Sequence, residues 1–270
     1  MPQKIRLDQH LTEAGYFESR NKAKAAIMAG LVFVDGRRID KPGTKIDPES
    51  EIIIKGEYCP YVSRGGFKLE KAIQVFDLDV TDYKVMDVGA STGGFTDCLL
   101  QHGARQVYAV DVGYGQLAWS LRNDPRVVVM ERTNIRYLTK DDLPEIFDLV
   151  TIDVSFISLK IVIPAARQFL KPGGEMVALI KPQFEAGREK VGKKGVVKDP
   201  TIHKDVIGEI IQMVNKEDLQ VVDLSYSPIT GAEGHNIEFL IYLKDGLKVK
   251  GFDEAKIDRI VSKAHAELKP

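Results

Sequence analysis

The middle of the chain alternates between short apolar runs and amphipathic stretches. Residues 85–88, 106–110, 127–130, 147–152 and 175–180 are of strand length and apolar along most of their course, rather than at every second position. Runs of that kind suit strands buried on both faces. Between them, residues 95–102, 116–121 and 159–169 carry helical spacing, with Pro164 near the start of the last and a Lys171-Pro172-Gly173-Gly174 turn after it. The alternation predicts an α/β domain whose parallel sheet is covered by helices. Asp199-Pro200 caps and starts a further helix to about residue 215, strands follow at 219–224 and 236–243, and 253–267 closes the chain as a helix. Two strands in direct succession pair antiparallel, so the last strand is expected to run against the others.

Ahead of this domain the pattern differs. Residues 7–11 begin a short helix that Gly15 stops, and Ser19 caps a second helix over 20–29 that ends at Gly30. A hairpin follows, 31–34 and 37–39 around Asp35-Gly36, and 52–54 adds a third strand. The expected division is a small α+β domain over 1–59, a linker over 60–66 with Pro60 and Gly65-Gly66, and the α/β domain over 67–270. Its first helix, 67–76, carries Leu69, Ala72, Ile73 and Phe76 on one face and places Lys68 near its start.

Composition narrows the picture in two respects. The only cysteines, Cys59 and Cys98, form no disulfide framework or metal-ligand pattern, and no metal site is expected. No apolar signal segment or membrane-length run occurs, so the expected location is the cytoplasm, away from any membrane. Net charge is −1, which gives no global field attracting nucleic acid. Local clusters have to carry that case. Arg20, Lys22 and Lys24 open the second helix, where cations oppose the macrodipole and are better explained by an anionic partner. The plainer alternative is a solvated face, since residues 1–60 balance ten Lys and Arg against nine Asp and Glu. Residues 185–200, with five Lys or Arg and three Gly, read either as a mobile loop that closes over an anionic substrate or as a solvated loop.

The chemistry gathers around residues 84–115. A strand, the glycine-rich turn Gly89-Ala90-Ser91-Thr92-Gly93-Gly94 and a helix make a nucleotide cradle, with Asp111 ending the next strand where it can accept hydrogen bonds from ribose hydroxyls. The turn fits neither G-x-G-x-x-G nor a phosphate loop. Asp87, two residues before the first glycine, gives the D-x-G-x-x-x-G form of S-adenosylmethionine enzymes. A carboxylate there suits an ammonium and a sulfonium and would repel a pyrophosphate. In an open α/β sheet ligands bind beyond the C-terminal strand ends. Asp153 and Lys181 end the fourth and fifth strands, Glu238 starts the reversed one, and Lys68 reaches the same rim from its helix. Two lysines and two carboxylates there form a proton-transfer network, in which a lysine can accept a proton only with a lowered pKa.

Longer motifs sharpen this reading. The order L-D-x-x-L, S-R-x-x-A, V-x-V-D-G-R over residues 5–55 resembles the alpha-L RNA-binding domain named after a ribosomal protein of the small subunit. Ser63–Leu69, Asp87–Asp97, Asp111–Leu117, Asp153–Phe156, Lys181–Glu185 and Gly231–Glu238 together resemble the TlyA family. These are ribosomal RNA 2′-O-methyltransferases that also carry a haemolysin label and are related to the FtsJ/RrmJ group. The resemblance implies a class I, Rossmann-like methyltransferase sheet and transfer from S-adenosylmethionine to a cytidine 2′-OH in rRNA of both ribosomal subunits. It places the Lys-Asp-Lys-Glu tetrad on Lys68, Asp153, Lys181 and Glu238, with Lys181 as base. Cofactor contacts are expected at Asp87, Gly89, Ala90, Ser91, Gly93, Gly94, Phe95, Asp111, Val112, Asn134 and Asp153. RNA contacts are expected at Arg6, Arg20, Lys22, Lys24, Arg37, Arg64, Arg188, Lys193 and Lys194. His235-Asn236 departs from the glycine motif of the last loop.

Three alternatives stay open. Amino-group methylation of a base uses [DN]-P-P-[YF], and the slot here, Asp153-Val154-Ser155-Phe156, keeps the aromatic but not the prolines. A membrane-lytic protein would need a span or a strongly amphipathic cationic helix. A non-catalytic assembly factor would be indicated by loss of a tetrad member, and all four are present.

Overall fold

A computed structural model describes residues 4–17, 19–28, 30–55, 59–231, 235–246 and 252–268. The chain divides into two compact units, Met1–Pro60 and Tyr61–Pro270. Predicted helix residue Ala29, residues 56–58 at the end of the predicted first domain and residues 232–234 of the last loop lie outside the described residues.

The first unit contains β1 (Ile5–Arg6), α1 (Leu7–Glu13), α2 (Arg20–Met28), β2 (Val32–Val34), β3 (Arg37–Arg38), β4 (Lys45–Ile46) and β5 (Ile52–Ile54). Ala23, Ala26 and Ile27 stand at i, i+3 and i+4 on α2 and pack, fully buried, with Leu7, Leu11 and Val32. β2 lies between β3 and β5, both antiparallel to it, which is the predicted hairpin plus third strand. The β1–β4 pair was not foreseen, since two residues per strand leave no period to read. The cations also have a partner that sequence did not supply. Asp8 is buried and receives Arg6 Nε at 2.9 Å and Arg20 Nη2 at 3.0 Å. Arg6, opposed by burial and helped by Arg20, holds this carboxyl at a pKa of about 2. The anion that justifies Arg20 at a helix start is therefore partly the protein's own.

The second unit runs α3 (Gly65–Phe76), β6 (Lys84–Val88), α4 (Gly94–Gln101), β7 (Gln106–Val110), α5 (Trp119–Arg122), β8 (Val127–Met130), β9 (Phe147–Ile152), α6 (Leu159–Arg167), β10 (Leu170–Ile180), α7 (Pro182–Glu185), α8 (Pro200–Val214), β11 (Leu219–Tyr226), β12 (Phe239–Asp245) and α9 (Ala255–Glu267). Its seven-stranded sheet has the order β11-β12-β10-β9-β6-β7-β8. β12 is antiparallel to both its neighbours and the remaining pairs are parallel, as expected from two successive strands at the end of an α/β run. Met86, Val150, Ala178 and Ile241 on one face of the sheet and Val85, Leu149, Val177 and Leu240 on the other are without exposed surface, as expected of a sheet covered on both faces.

Local differences from the sequence reading have physical causes. Residues 61–66, read as linker, pack into the second unit. Tyr61 meets Phe67 edge to face, and the Val62 N–H donates to the Asp97 carboxylate at 2.8 Å. The two glycines after them open α3, because α3 and α4 approach too closely for side chains: a Cβ on Gly94 would stand 2.8 Å from the Gly66 nitrogen. The Lys171–Gly174 turn is instead an irregular step inside β10, whose partner on β9 shifts from Phe147 to Leu149 as β10 goes from Leu170 to Glu175. The helix expected from Gln116 begins only at Trp119, since Ala118 still has extended ψ. The last strand likewise starts at Phe239 and not at Asn236.

Asp8 generates a prediction. A depressed carboxyl pKa contributes stability above the unfolded value and loses it as pH falls through the folded one. Asp8→Asn should cost the first unit about 1–3 kcal/mol, seen as roughly tenfold or more faster hydrogen exchange at Ala26, Ile27 and Val32. The gap from wild type in thermal stability should close between pH ~4 and ~2.

Candidate active site

The C-terminal ends of β6, β7, β8 and β9 open onto a cavity of about 440 Å³. Gly89 leaves β6 with φ +86°, and a Cβ there would stand 2.5 Å from the Asp153 carbonyl oxygen. Only glycine permits the loop to pass so near the end of β9. Asp111, at the end of β7, accepts from the Ser91 N–H and the Gly113 N–H, each at 2.7 Å. Its carboxylate thus holds the glycine loop and its own loop in place while facing the cavity. Val112 and Asn134 also line it, with Ile135 and Val162 as apolar wall. A carboxylate with acceptor capacity left, beside an apolar slot and an open glycine turn, fits the ribose and adenine of S-adenosylmethionine.

Of the expected cofactor residues, Gly89, Ser91, Asp111, Val112, Asn134 and Asp153 border the cavity. Asp87, Ala90, Gly93, Gly94 and Phe95 do not. Asp87 lies beneath the loop without exposed surface and accepts from Thr96 Oγ1 at 2.7 Å and Thr151 Oγ1 at 3.0 Å. Burial pushes its pKa up to about 7, with the two hydroxyls pulling the other way. Its observed work is to tie β6 to α4 and β9, not to face a ligand's ammonium. Gly93, with φ +100°, lies within the loop where a Cβ would stand 2.3 Å from the Leu121 side chain, and Phe95 is buried just after it. Sequence reasoning overlooked Gln116, Thr133, Ser155 and Phe156, which do line the cavity. Ser155 and Phe156 stood inside the D-V-S-F motif, and nothing in it distinguished their directions.

The four charged residues meet. Val88 pairs with Ile152, and Ile180 with Phe239, so Asp153, Lys181 and Glu238 all emerge at one end of the sheet. Lys68, Ala72 and Phe76 form one stripe of α3, in which Phe76 stacks on Tyr242 of β12 at 5.5 Å and Lys68 reaches the rim. Lys181 Nζ is 2.5 Å from Asp153 Oδ1, Lys68 Nζ is 2.6 Å from Glu238 Oε2, and Lys68 Nζ is 3.7 Å from Asp153 Oδ2. Asp153 Oδ1 and Glu238 Oε2 make these contacts outside hydrogen-bond geometry, so they are held by charge. Lys181 also donates to Ser155 Oγ at 3.1 Å, one bond from the cavity wall.

Burial presses Asp153 towards its neutral acid, but Lys68 and Lys181 outweigh it and hold the carboxyl below its usual range. Burial likewise presses the Lys68 ammonium down, and Asp153 and Glu238 reverse this, leaving its pKa raised. For Lys68 this is opposite to what a base requires. Lys68 is the charged anchor of the cluster.

The expected RNA contacts are divided between the two units. Arg6 and Arg20 meet on Asp8, about half exposed, and Arg37 is exposed on β3. Lys22 and Lys24 are partly covered on α2. In the second unit, Arg64 is exposed at the start of α3, and Arg188, Lys193 and Lys194 are exposed between α7 and α8. No helix among the described residues is long and apolar enough to cross a membrane.

Known proteins resemble this chain over nearly its whole length. Residues 61–245 match the FtsJ-like methyltransferase family and residues 5–52 the S4 domain. A Bacillus subtilis protein provisionally described as an rRNA methyltransferase, YqxC, is 54% identical over 270 residues, covering 98% of this chain and 96% of its own. The 16S/23S rRNA (cytidine-2′-O)-methyltransferase TlyA of Mycobacterium tuberculosis is 41% identical over 267 residues, covering 97% of this chain and 99% of its own. A solved Streptococcus thermophilus structure, provisionally described as a hemolysin, superposes with a TM-score of 0.76 at 47% identity, covering 99% of this chain and 97% of that one.

Gly89→Ala tests the cavity directly. The added methyl must displace the Asp153 backbone and accept a left-handed φ, so S-adenosylhomocysteine affinity, measured by calorimetry, should fall by about tenfold or more, equivalent to roughly 1.4 kcal/mol.

Proposed function

Because the chain belongs to the TlyA group of the FtsJ-like methyltransferase family, we propose that it transfers a methyl group to the ribose 2′-OH of cytidine in ribosomal RNA. The observation that carries this reading is Lys181 Nζ, held 2.5 Å from Asp153 and 3.1 Å from Ser155 at the cavity wall. Bound S-adenosylmethionine supplies a methyl group already activated by its sulfonium. Gly89, Ser91, Asp111, Val112 and Asn134 would hold it. What remains for the protein is alignment of the acceptor hydroxyl and removal of its proton.

A ribose hydroxyl is a weak nucleophile, and its proton has to leave as the new bond forms. Lys68 carries two carboxylates and is kept charged, which disqualifies it as acceptor. Lys181 carries one carboxylate and reaches towards the cavity through a neutral hydroxyl, so we assign it the base. Asp153 aligns the amine, and Glu238 with Lys68 fixes Asp153. The S4 domain and the exposed cations of the second unit are assigned to rRNA, with both ribosomal subunits as substrate and the cytoplasm as the place of action. S4 is a domain of RNA-binding proteins, so the domain pairing suits a substrate too large for the cavity alone.

Amino-group methylation of a base is the competing reading, and one feature favours it: Phe156 stands 80% exposed at the cavity lip with φ +63°, in the aromatic slot of that motif. Labelled methyl transfer to ribosomal subunits lacking the modification, followed by digestion to nucleosides, separates the two. Label should appear in 2′-O-methylcytidine, and Lys181→Ala should reduce it by about 10²–10⁴-fold while still binding S-adenosylhomocysteine. Label on a base, or an unaffected Lys181→Ala, would overturn the assignment.

A further inference from the structure

The basic segment between α7 and α8 is built, not loose. Gly195 N–H donates to Gly192 O at 2.8 Å and Gly192 N–H to Val196 O at 3.0 Å, closing a tight turn. Asn236 grips that turn with both ends of its amide. Its Nδ2 donates to Gly195 O and its Oδ1 accepts from the Val197 N–H, each at 2.9 Å. From α8, His203 Nε2 lies 3.1 Å from Val197 O. A carbonyl only accepts, so Nε2 carries the proton, and His203 Nδ1 is left to accept from His265 Nε2 at 3.0 Å. Asn236, Val197 and His203 are all buried. Buried polar groups specify one geometry when their bonds are made, as they are here.

The turn so fixed presents charge. Lys193 and Lys194 are exposed at its tip and meet no carboxylate among the described residues. With His235 and with Lys190, whose amine reaches the Asp205 carboxylate at 4.0 Å, they border a cleft of about 610 Å³. Asp199, which also borders it, is engaged by the Thr201 N–H at the start of α8. Like charges gathered on a rigid turn repel one another and add nothing to folding, so an external anion is the physical reason to hold them there. The latch also leads to the tetrad. Asn236 precedes Glu238 by two residues. Gly231, whose N–H donates to Asn236 O at 2.9 Å, passes so near that a Cβ on it would stand 2.8 Å from Glu238 Oε1.

Resting on the 2′-O-methylation reading, we infer that this cleft holds backbone phosphates of the RNA strand carrying the acceptor ribose, and that Asn236 is a positioning residue fixing those phosphates relative to the tetrad. The 2′-OH of an internal nucleotide is flanked by phosphodiesters on both sides. Cations at a set distance from Lys181 therefore restrict where the hydroxyl can lie, without reading any base.

The test measures binding of unmodified ribosomal subunits to the full chain against KCl concentration at fixed Mg²⁺, together with steady-state methyl transfer, for wild type, Lys193→Ala/Lys194→Ala and Asn236→Ala. S-adenosylhomocysteine binding reports the fold of each. Removing two phosphate contacts should lower the slope of log affinity against log salt by about 1.5 and raise KM. Asn236→Ala removes no charge, yet it should also flatten the slope and in addition lower kcat at saturating subunits. If Asn236→Ala fails to bind cofactor, Asn236→Ser, which keeps a hydroxyl for the Val197 N–H, is read by the same two quantities. A lysine variant with the wild-type slope overturns the cleft as a phosphate site. A cofactor-binding Asn236 variant with wild-type slope and kcat overturns its positioning role. Wild-type chain that labels no subunits would instead remove the methylation reading beneath both.

Discussion

Four charges meet at one end of the sheet, Lys68, Lys181 and Glu238 buried and Asp153 mostly covered, and the second unit is arranged so that this can happen. An isolated buried ion costs several kcal/mol even after relaxation, and removing one partner of a buried pair typically destabilises by about 3–5 kcal/mol. Here Asp153 stands between two lysines and Lys68 between two carboxylates, so the cluster is electrically balanced and each member is needed by another. The four residues come from α3 and from the ends of β9, β10 and β12. They meet only because β12 enters the sheet reversed, which brings its first residues to the rim where the parallel strands finish. The same balance divides the proposed labour: the lysine with two carboxylates is kept charged, and the lysine with one donates to the serine at the cavity wall.

The glycine loop beside the cluster depends on two acids with opposite circumstances. Asp111 is partly open, accepts two backbone N–H groups and still faces the cavity. Asp87 is closed off, its oxygens taken by two threonine hydroxyls and its pKa pushed up to about 7 by burial. One acid offers acceptors to a ligand. The other fixes the floor on which the loop rests, and so sets the cavity's shape without touching its contents. Similar motif letters therefore conceal two kinds of work, separated by burial alone.

Cations in this protein also divide by whether the chain supplies their anion. Arg6 and Arg20 share Asp8 and lend stability to the first unit while staying half exposed. Lys193 and Lys194 have no carboxylate among the described residues and are carried on a turn fastened by buried hydrogen bonds. Near-zero net charge is compatible with both, because what matters to an RNA backbone is the local arrangement of charge within a Debye length of about 8 Å.

Much of this was legible in the sequence, for identifiable reasons. Continuous apolar runs specified the parallel strands, two successive strands implied the reversal of the last, and strand-end positions singled out Asp153, Lys181 and Glu238 before any contact was known. Glycine spacing likewise marked the loop whose Gly89 proves to be sterically obligatory. These features are local or follow from chain order, and a one-dimensional pattern can carry them. Direction and burial are another matter. That Asp87 turns under the loop, that Asp8 claims Arg6 and Arg20, that residues 61–66 belong to the packed second unit, and that Asn236 fastens the basic turn all depend on groups far apart in the chain arriving at one place. Sequence determined which residues could do chemistry and on which strand ends they stand. Tertiary structure alone decided which of them face a cavity and which are consumed in holding it open, because desolvation and pairing are properties of the surroundings and not of the residue.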